Sequence, residues 1–323
     1  MSSMRAVLAD GAGGPEVLVV TQVDRPDPGP HEVRIKVAAA GINRADVMQR
    51  KGHYPPPPGA SEVLGLEVSG HIDAVGSEVR DWDEGQECVA LLAGGGYAEY
   101  VVVDAEHILP PPEGLDLIAA GGFIEVAATV ISNMDVAALT GRDTFLVHGG
   151  AGGIGSFAIQ YAKSLGCKVI TTAGRPEKLE LCRSLGADLA LSYNDDWVGA
   201  VRDAGGVDVI LDIVGAKYLS DHVDLMNKDG RMVVIGLQKG RKGELDLGKL
   251  LNKRAHISAT SLRSRPADQK ARIVARVHEM MHHAYANGTL RPVPVRSWPL
   301  DEVSDAHEFF DSGEHQGKLI LQP

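Results

Sequence analysis

The run Gly150-Ala151-Gly152-Gly153-Ile154-Gly155 follows the apolar stretch Phe145–His148 and opens an amphipathic stretch, Ile154–Leu165. This succession of strand, glycine turn and helix constrains the fold more than anything else in the chain. Glycines let the backbone turn tightly and approach a ligand closely, and a helix start offers unpaired N–H groups with partial positive charge. The G-x-G-x-x-G spacing in this setting points to a dinucleotide pyrophosphate held by Gly150, Ala151, Gly152, Gly153, Ile154 and Gly155. It also implies that strands and helices alternate around it.

From about residue 123 they do. DTFLVHGG leads into Ile154–Leu165, CKVITTAG into Glu177–Leu185, VDVILDIVG into Lys217–Met226, and GRMVVIGL into HISATS and a helix near Pro266–Asn287. Apolar strands joined by helices of this length predict a parallel sheet covered on both faces. The preceding residues differ: MRAVLAD, VLVVTQV, HEVRIKVAAAG, LEVSGHIDAVG, ECVALLA and AEYVVVD are short strand-like runs between Gly, Pro and Asp clusters. Alternation in Glu32–Val37 puts Val33, Ile35 and Val37 on one face. After residue 290, RPVPVRSWPL reads as extended, Asp301–Asp311 as helical and GKLILQP as a closing strand that returns to the first domain. The fold class is α/β, with residues 1–122 and 291–323 forming a mainly-β domain. Residues 123–290 form a doubly wound, parallel-sheet nucleotide-binding domain.

A net charge of −11 over 323 residues argues against a nucleic-acid surface, which needs clustered Lys and Arg. Cys88, Cys167 and Cys182 are odd in number and widely spaced, as expected for reduced thiols. The opening MSSMRAVLADG has no cationic segment followed by an apolar one, and no run is long enough for a membrane helix. The expectation is a cytoplasmic protein with no membrane or nucleic-acid partner. The proline run Pro55–Pro58 reads as a stiff loop.

The choice of dinucleotide is made at the end of the next strand, where an NAD enzyme carries Asp or Glu for the ribose hydroxyl. Here the chain reads Thr171-Thr172-Ala173-Gly174-Arg175, with Lys178 close behind. Without a carboxylate and with two cations, Gly174, Arg175 and Lys178 favour the extra phosphate of NADP.

The chain resembles the zinc-independent quinone oxidoreductases of the medium-chain dehydrogenase/reductase superfamily. The resemblance is carried nearly end to end by GINRADVMQRKGHYPPPPG, LGLEVSGHIDAVG, VHGGAGGIGSFAIQYAKSLG, KLELCRSLGAD, SLRSRP and QGKLIL. It implies a GroES-like catalytic domain beside a Rossmann domain. It also implies NADPH as cofactor, a small quinone as acceptor and a homodimer through edge strands near Met232–Ala259. By the same resemblance Asn43 lies near the nicotinamide ribose, Tyr54 is a substrate-side phenol and Thr129 a pocket-floor contact; all three are assigned to catalysis, Asn43 and Thr129 also to the cofactor. The alternative for Asn43, on its residue type alone, is a helix cap. Tyr193 resembles the tyrosine that closes over the 2′-phosphate beside Lys178. Gly236, Leu237 and Gln238, with Ser261, Leu262 and Arg263, match segments facing the nicotinamide carboxamide, and Gly317 and Lys318 match the returning tail.

Zinc-containing relatives place a Cys and a His where this chain has Asn43 and Leu66, and a structural zinc needs four clustered cysteines. Both metals are therefore expected to be absent. His278-Glu279-Met280-Met281-His282 does fit H-E-x-x-H, but Tyr285 and Gly288 break the extended zinc-protease pattern, and the reading is a polar helix flank.

A quinone is electrophilic and its reduced form aromatic, so positioning it against the cofactor supplies much of the rate without a metal. The proton comes from water or from Tyr54, a phenol being ordinarily protonated at neutral pH. Two alternatives stand beside this reading: a reductase of enones or enoyl thioesters, which needs a donor to the carbonyl oxygen more strongly, and a non-catalytic NADPH-binding protein stabilised by its ligand.

Overall fold

The computed structural model describes residues 2–323. By contacts it divides into Met1–Ala128 with Leu262–Gly288 and Pro292–Pro323, and Thr129–Ser261 with Thr289–Arg291. The first unit begins with β1 (Ser3–Ala9), β2 (Leu18–Asp24), β3 (Glu32–Gly41), α1 (Arg44–Arg50), β4 (Glu67–Val75), β5 (Glu87–Leu91), β6 (Tyr100–Asp104), β7 (Ile108–Leu109) and α2 (Leu117–Ala120). Within α3 (Ile124–Val136) the chain enters the second unit. There β8 (Thr144–His148), α4 (Gly153–Leu165), β9 (Lys168–Ala173), α5 (Pro176–Ser184), β10 (Leu189–Ser192) and α6 (Trp197–Asp203) are followed by β11 (Val207–Asp212), α7 (Leu219–Leu225), β12 (Met226–Val234), α8 (Leu247–Lys253) and β13 (His256–Ala259). The first unit is completed by α9 (Ala267–Met281), β14 (Val295–Pro299), α10 (Val303–Ser312) and β15 (Lys318–Gln322).

In the first unit the strand order is β14-β15-β3-β4-β5-β7, with β6 also pairing β3, and β1 and β2 form a separate antiparallel ribbon. Val33, Ile35 and Val37 of β3 are buried, as alternation predicts. Arg34, on the opposite face, is buried too. Its guanidinium reaches Asp73 at 2.6 Å and Asp27 at 2.7 Å, which offsets the cost of removing a charge from water. The closing strand β15 runs antiparallel to β3, pairing Ile320 with Gly41.

The second unit is a parallel sheet in the order β10-β9-β8-β11-β12-β13. The order reverses between β8 and β11, so this is a Rossmann sheet with its switch point beside the glycine loop. Its core includes Leu146, Ile170, Ile210, Val223 and Met232.

Helix α9 sits differently from the sequence expectation, which ran the nucleotide-binding domain from 123 to 290. Contacts place Leu262–Gly288 in the first unit. His107 Nε2 lies 2.9 Å from the Ala267 carbonyl oxygen, the Glu113 N–H donates to the His282 carbonyl at 2.8 Å, and Phe123 and Tyr285 meet edge to face. Val274, Val277 and Met281 form the buried stripe of α9, and an amphipathic stripe says that a helix packs but not against which sheet. The H-E-x-x-H run ends this helix. Glu279 pairs with Arg276 and His283 with Glu113, and no group of three or more His, Cys, Asp or Glu residues suited to a metal ion occurs among the described residues. Among the same residues no helix is long and apolar enough to cross a membrane.

Behind the switch point two buried histidines face each other, His148 Nε2 lying 2.8 Å from His222 Nε2 and His148 Nδ1 2.8 Å from Thr172 Oγ1. Trp197 and Tyr218 close over them. Burial holds His148 at about 3 and His222 at about 4, so both are neutral in the folded protein. An unfolded histidine binds a proton below about pH 6.5, so the unfolded state takes up more protons there and stability falls as pH drops from about 6.5 toward 4. Urea midpoints should therefore decline steeply over that window, and His222→Gln should flatten the decline. An equally steep pH profile in that variant would remove the pair from the explanation.

Candidate functional site

In the second unit the glycines divide into two kinds. A Cβ on Gly150 would lie 2.3 Å from Thr171 Oγ1 and one on Gly155 would lie 2.3 Å from the Gly149 carbonyl oxygen, so packing alone demands glycine at both. Gly152 is different: its Cβ would meet only Gly149 O, at 3.5 Å. The bareness there leaves room for a group arriving from outside. Gly149 takes φ +69°, and the N–H groups of Gly149 and Gly150 both donate to the Thr172 carbonyl, which draws the loop back onto β9. Helix α4 then starts from Gly152 with no side-chain cap and no acidic residue in its first turn. Its N-terminal N–H groups and dipole favour an anion, and Gly153 and Ile154 stand in that turn, with Ala151 buried beneath.

The neighbouring strand ends complete this edge. Tyr193 lies over Gly174 so closely that a Cβ there would be 2.1 Å from the phenol oxygen. Arg175 is the N-cap residue of α5 and exposed, and Lys178 is half-buried one turn on. Asp212, at the end of β11, accepts from the N–H groups of Val214 and Gly215. That holds the loop against Gly236 and Gln238, whose N–H groups donate to the carbonyls of Asp212 and Ile213. Leu237 beside them is half exposed. Burial raises the Asp212 carboxyl, while its backbone donors lower it. Ser261 follows β13 and is exposed, and Thr129 holds its carbonyl toward Asn133 Nδ2 at 2.7 Å.

In the first unit the polar groups gather around Glu67, which is fully buried on β4. Its Oε1 accepts from Asn43 Nδ2 at 2.8 Å and Lys318 Nζ at 2.7 Å, and its Oε2 from the Glu125 N–H at 3.0 Å. Lys318 also reaches Asn43 Oδ1 at 2.8 Å and the Ile42 carbonyl at 3.3 Å. Gly41 makes the approach feasible, since a Cβ there would fall 2.3 Å from Glu67 Oε1. Asn43 is the N-cap residue of α1, and its N–H donates to Asp46 Oδ2. Its side-chain amide is turned instead to Glu67 and Lys318. Tyr97 donates to Asp46 Oδ2 at 3.0 Å, and Asp46 Oδ1 has no hydrogen-bond partner among the described residues. Burial, against the hydrogen bonds from Asn43 and Tyr97, pushes Asp46 up to about 6.

Arg263 fastens the loop that bears Tyr54. Its guanidinium donates to the carbonyls of Ala93 at 2.7 Å and Tyr54 at 3.2 Å and to Gln49 Oε1 at 2.7 Å, and lies 5.4 Å from the Tyr54 ring centroid. Leu262 beside it is half-buried. Lys318, expected at the cofactor, directs its ammonium to Glu67, Asn43 and Ile42, and Arg263, expected there too, directs three of its five N–H groups to protein acceptors. Gly317, at φ +65°, sets the turn into β15.

Residues 29–113 match the alcohol dehydrogenase GroES-like domain and residues 153–279 the zinc-binding dehydrogenase family. The quinone oxidoreductase of Pseudomonas aeruginosa is 32% identical over 96% of this chain and 97% of its own. The chain belongs to the quinone oxidoreductase family of the medium-chain dehydrogenase/reductases. The Escherichia coli quinone oxidoreductase, solved with NADPH, superimposes with a TM-score of 0.89 over 100% of both chains at 28% identity. A polyketide synthase subunit of Mycobacterium tuberculosis is 30% identical over 97% of this chain, which spans only 14% of that protein's length.

Within this family frame the sequence reading picked Asn43 and Lys318 but missed Glu67, the carboxylate they share, along with Asp46, Tyr97 and Glu125. The motif LGLEV held the signal, a Glu set among the apolar Leu64, Leu66 and Val68 where β4 begins. Replacing Lys318 by Met leaves Glu67 buried beside Asn43 with no cation, which costs roughly 3–5 kcal/mol. Urea unfolding should show that loss, and Glu67→Gln in the same chain should return much of it. A Lys318→Met protein as stable as the parent would contradict the geometry's energetic weight.

Proposed function

We propose that this protein is a metal-free, NADPH-dependent reductase that passes a hydride to a small quinone. The observation that carries the reading is the match to a quinone oxidoreductase over nearly the whole of both chains. NADPH fits the second unit: Gly152 leaves room for a pyrophosphate, α4 offers uncapped N–H groups, and Arg175, Lys178 and Tyr193 stand where a 2′-phosphate would lie. When bound, the dinucleotide supplies the hydride. The chain's own residues hold it, orient the acceptor through Asn43 and Tyr54, and exclude water.

A metal is not required in this reading, because the positions that bear a thiolate and an imidazole in zinc relatives carry Asn43 and Leu66 here. The Asn43 amide is already engaged by Glu67 and Lys318, and Leu66 has no donor atom. We place the protein in the cytoplasm as a homodimer. Two features support the dimer: β13 is an edge strand, and the nearby α8 exposes Leu247 and Leu251. A second reading, reduction of an enone or enoyl thioester, draws on the similarity to a segment of a polyketide synthase subunit.

Two measurements test these proposals. Fluorescence titration should show NADPH binding more tightly than NADH, with Lys178→Ala losing about 1.5–3 kcal/mol of NADPH affinity, the worth of a charged hydrogen bond. Gly152→Ala should weaken NADPH without lowering the unfolding midpoint; equal affinity for both cofactors would overturn the NADP assignment. Steady-state NADPH oxidation across benzoquinone, naphthoquinone, phenanthrenequinone and several enones should favour a quinone, and enones turning over far faster than every quinone would move the function to the second reading.

A further inference from the structure

His148 closes β8 and immediately precedes Gly149 and Gly150, and His222 lies fully buried in α7. Their Nε2 atoms are 2.8 Å apart. On the far side of His148, Nδ1 lies 2.8 Å from Thr172 Oγ1, and the carbonyl of the same threonine accepts from the Gly149 and Gly150 N–H groups at 2.9 and 3.0 Å. On the far side of His222, Nδ1 has no hydrogen-bond partner among the described residues and lies 4.0 Å from Asp212 Oδ2. Asp212 accepts from the N–H groups of Val214 at 2.7 Å and Gly215 at 3.1 Å, and Gly236 donates to its carbonyl. A file of side chains thus crosses the ends of β9, β8 and β11, where the strand order reverses. The glycine loop is fastened at one end and the Val214–Gly215 turn at the other.

The order of protons in this file follows from its geometry. Burial keeps both rings neutral, so each carries one N–H. Two nitrogens 2.8 Å apart need a single proton between them, since two would repel and none would set lone pair against lone pair. If His222 supplied it, its Nδ1 would turn a bare lone pair toward the Asp212 carboxylate, with both residues buried away from water. If His148 supplies it, His222 carries its own proton on Nδ1, where the carboxylate attracts it even at 4.0 Å. The second arrangement is the stable one. His148 Nδ1 is then bare and accepts from the Thr172 hydroxyl, so every proton in the file is directed toward Asp212. Trp197 and Tyr218, with ring centroids 4.9 and 5.2 Å from that of His148, cover the pair.

We propose that His148 and His222 are positioning residues for the dinucleotide, joining the glycine loop to the Val214–Gly215 turn so that both are held in place before it binds. The role rests on the NADPH reading above and deepens it. Neither histidine needs to touch the cofactor. Holding two loops in their binding arrangement in advance lowers the ordering cost that binding must otherwise meet. The file tends the loops and not the 2′-phosphate, so it serves NADPH and NADH alike.

The test is a set of full-chain variants titrated with NADPH and with NADH by fluorescence. His222→Leu removes both ring nitrogens, and each dinucleotide should bind about tenfold more weakly, the worth of one hydrogen bond. His222→Gln, which restores an acceptor for the His148 Nε2–H, should recover much of that affinity. Thr172→Val should weaken both dinucleotides about threefold. Adding it to His222→Leu should cost little more, because the two changes cut the same file. Nitrogen NMR of the parent at pH 7 should show one buried ring protonated at Nε2 and one at Nδ1, the Nδ1 signal being lost in His222→Leu. Parent-like affinity in His222→Leu with only the unfolding midpoint lowered would make the pair structural and overturn the role. Losses confined to NADPH, or losses that simply add in the double variant, would overturn it too. Should His222→Leu not fold, Thr172→Val decides, and parent-like affinity there overturns the role. In each of these cases a parent that binds NADPH leaves the cofactor reading standing. A parent that binds neither dinucleotide would overturn that reading and the role with it.

Discussion

The Glu67 carboxylate is the contact on which the first unit's polar architecture depends. Four segments distant in sequence meet on its two oxygens: β4 supplies it, α1 sends Asn43, β15 sends Lys318 and α3 sends the Glu125 N–H. Each partner satisfies an atom that would otherwise be buried unpaired, so the network is either complete or strongly destabilising. It also fixes Asn43 in one orientation, since both ends of its amide are used.

Three carboxyls, of Asp46, Glu67 and Glu125, share this neighbourhood with one directly bound ammonium, that of Lys318. Such a set cannot be fully ionised cheaply, and the strain falls on the members with the fewest donors. Asp46 has two donors and is pushed to about 6, while Glu125, with none to its side chain, is pushed to about 8. Tyr97, above Asp46, is held protonated by burial, with the Asp46 carboxylate adding to the effect, and passes the contact on to His307.

The second unit was largely legible because its constraint is local. A glycine loop between strand and helix declares its geometry within a dozen residues, and the Rossmann strand order follows from the alternation. The places of Arg175 and Lys178, at the start of the helix after β9, were readable for the same reason. Glu67, Asp46 and Glu125 were not, since no spacing relates residues that meet only after β3, β4 and β15 have paired. Arg263 and Lys318 show the converse. Their positions were found by resemblance, yet their donors turn inward to hold the Tyr54 loop and Glu67. Helix α9 was visible as a helix but carried no sign of which sheet it would cover.

Mixing the NADPH-loaded protein with one equivalent of a quinone and following the nicotinamide fluorescence through a single turnover tests the central claim most directly. The run is repeated with deuterium at the transferable position of the nicotinamide. The account predicts loss of fluorescence equal to the bound cofactor, slowed severalfold by the deuterium, because breaking that carbon–hydrogen bond is the step the site is arranged to promote. Fluorescence that persists, or decays no faster than in a protein-free control, would contradict it.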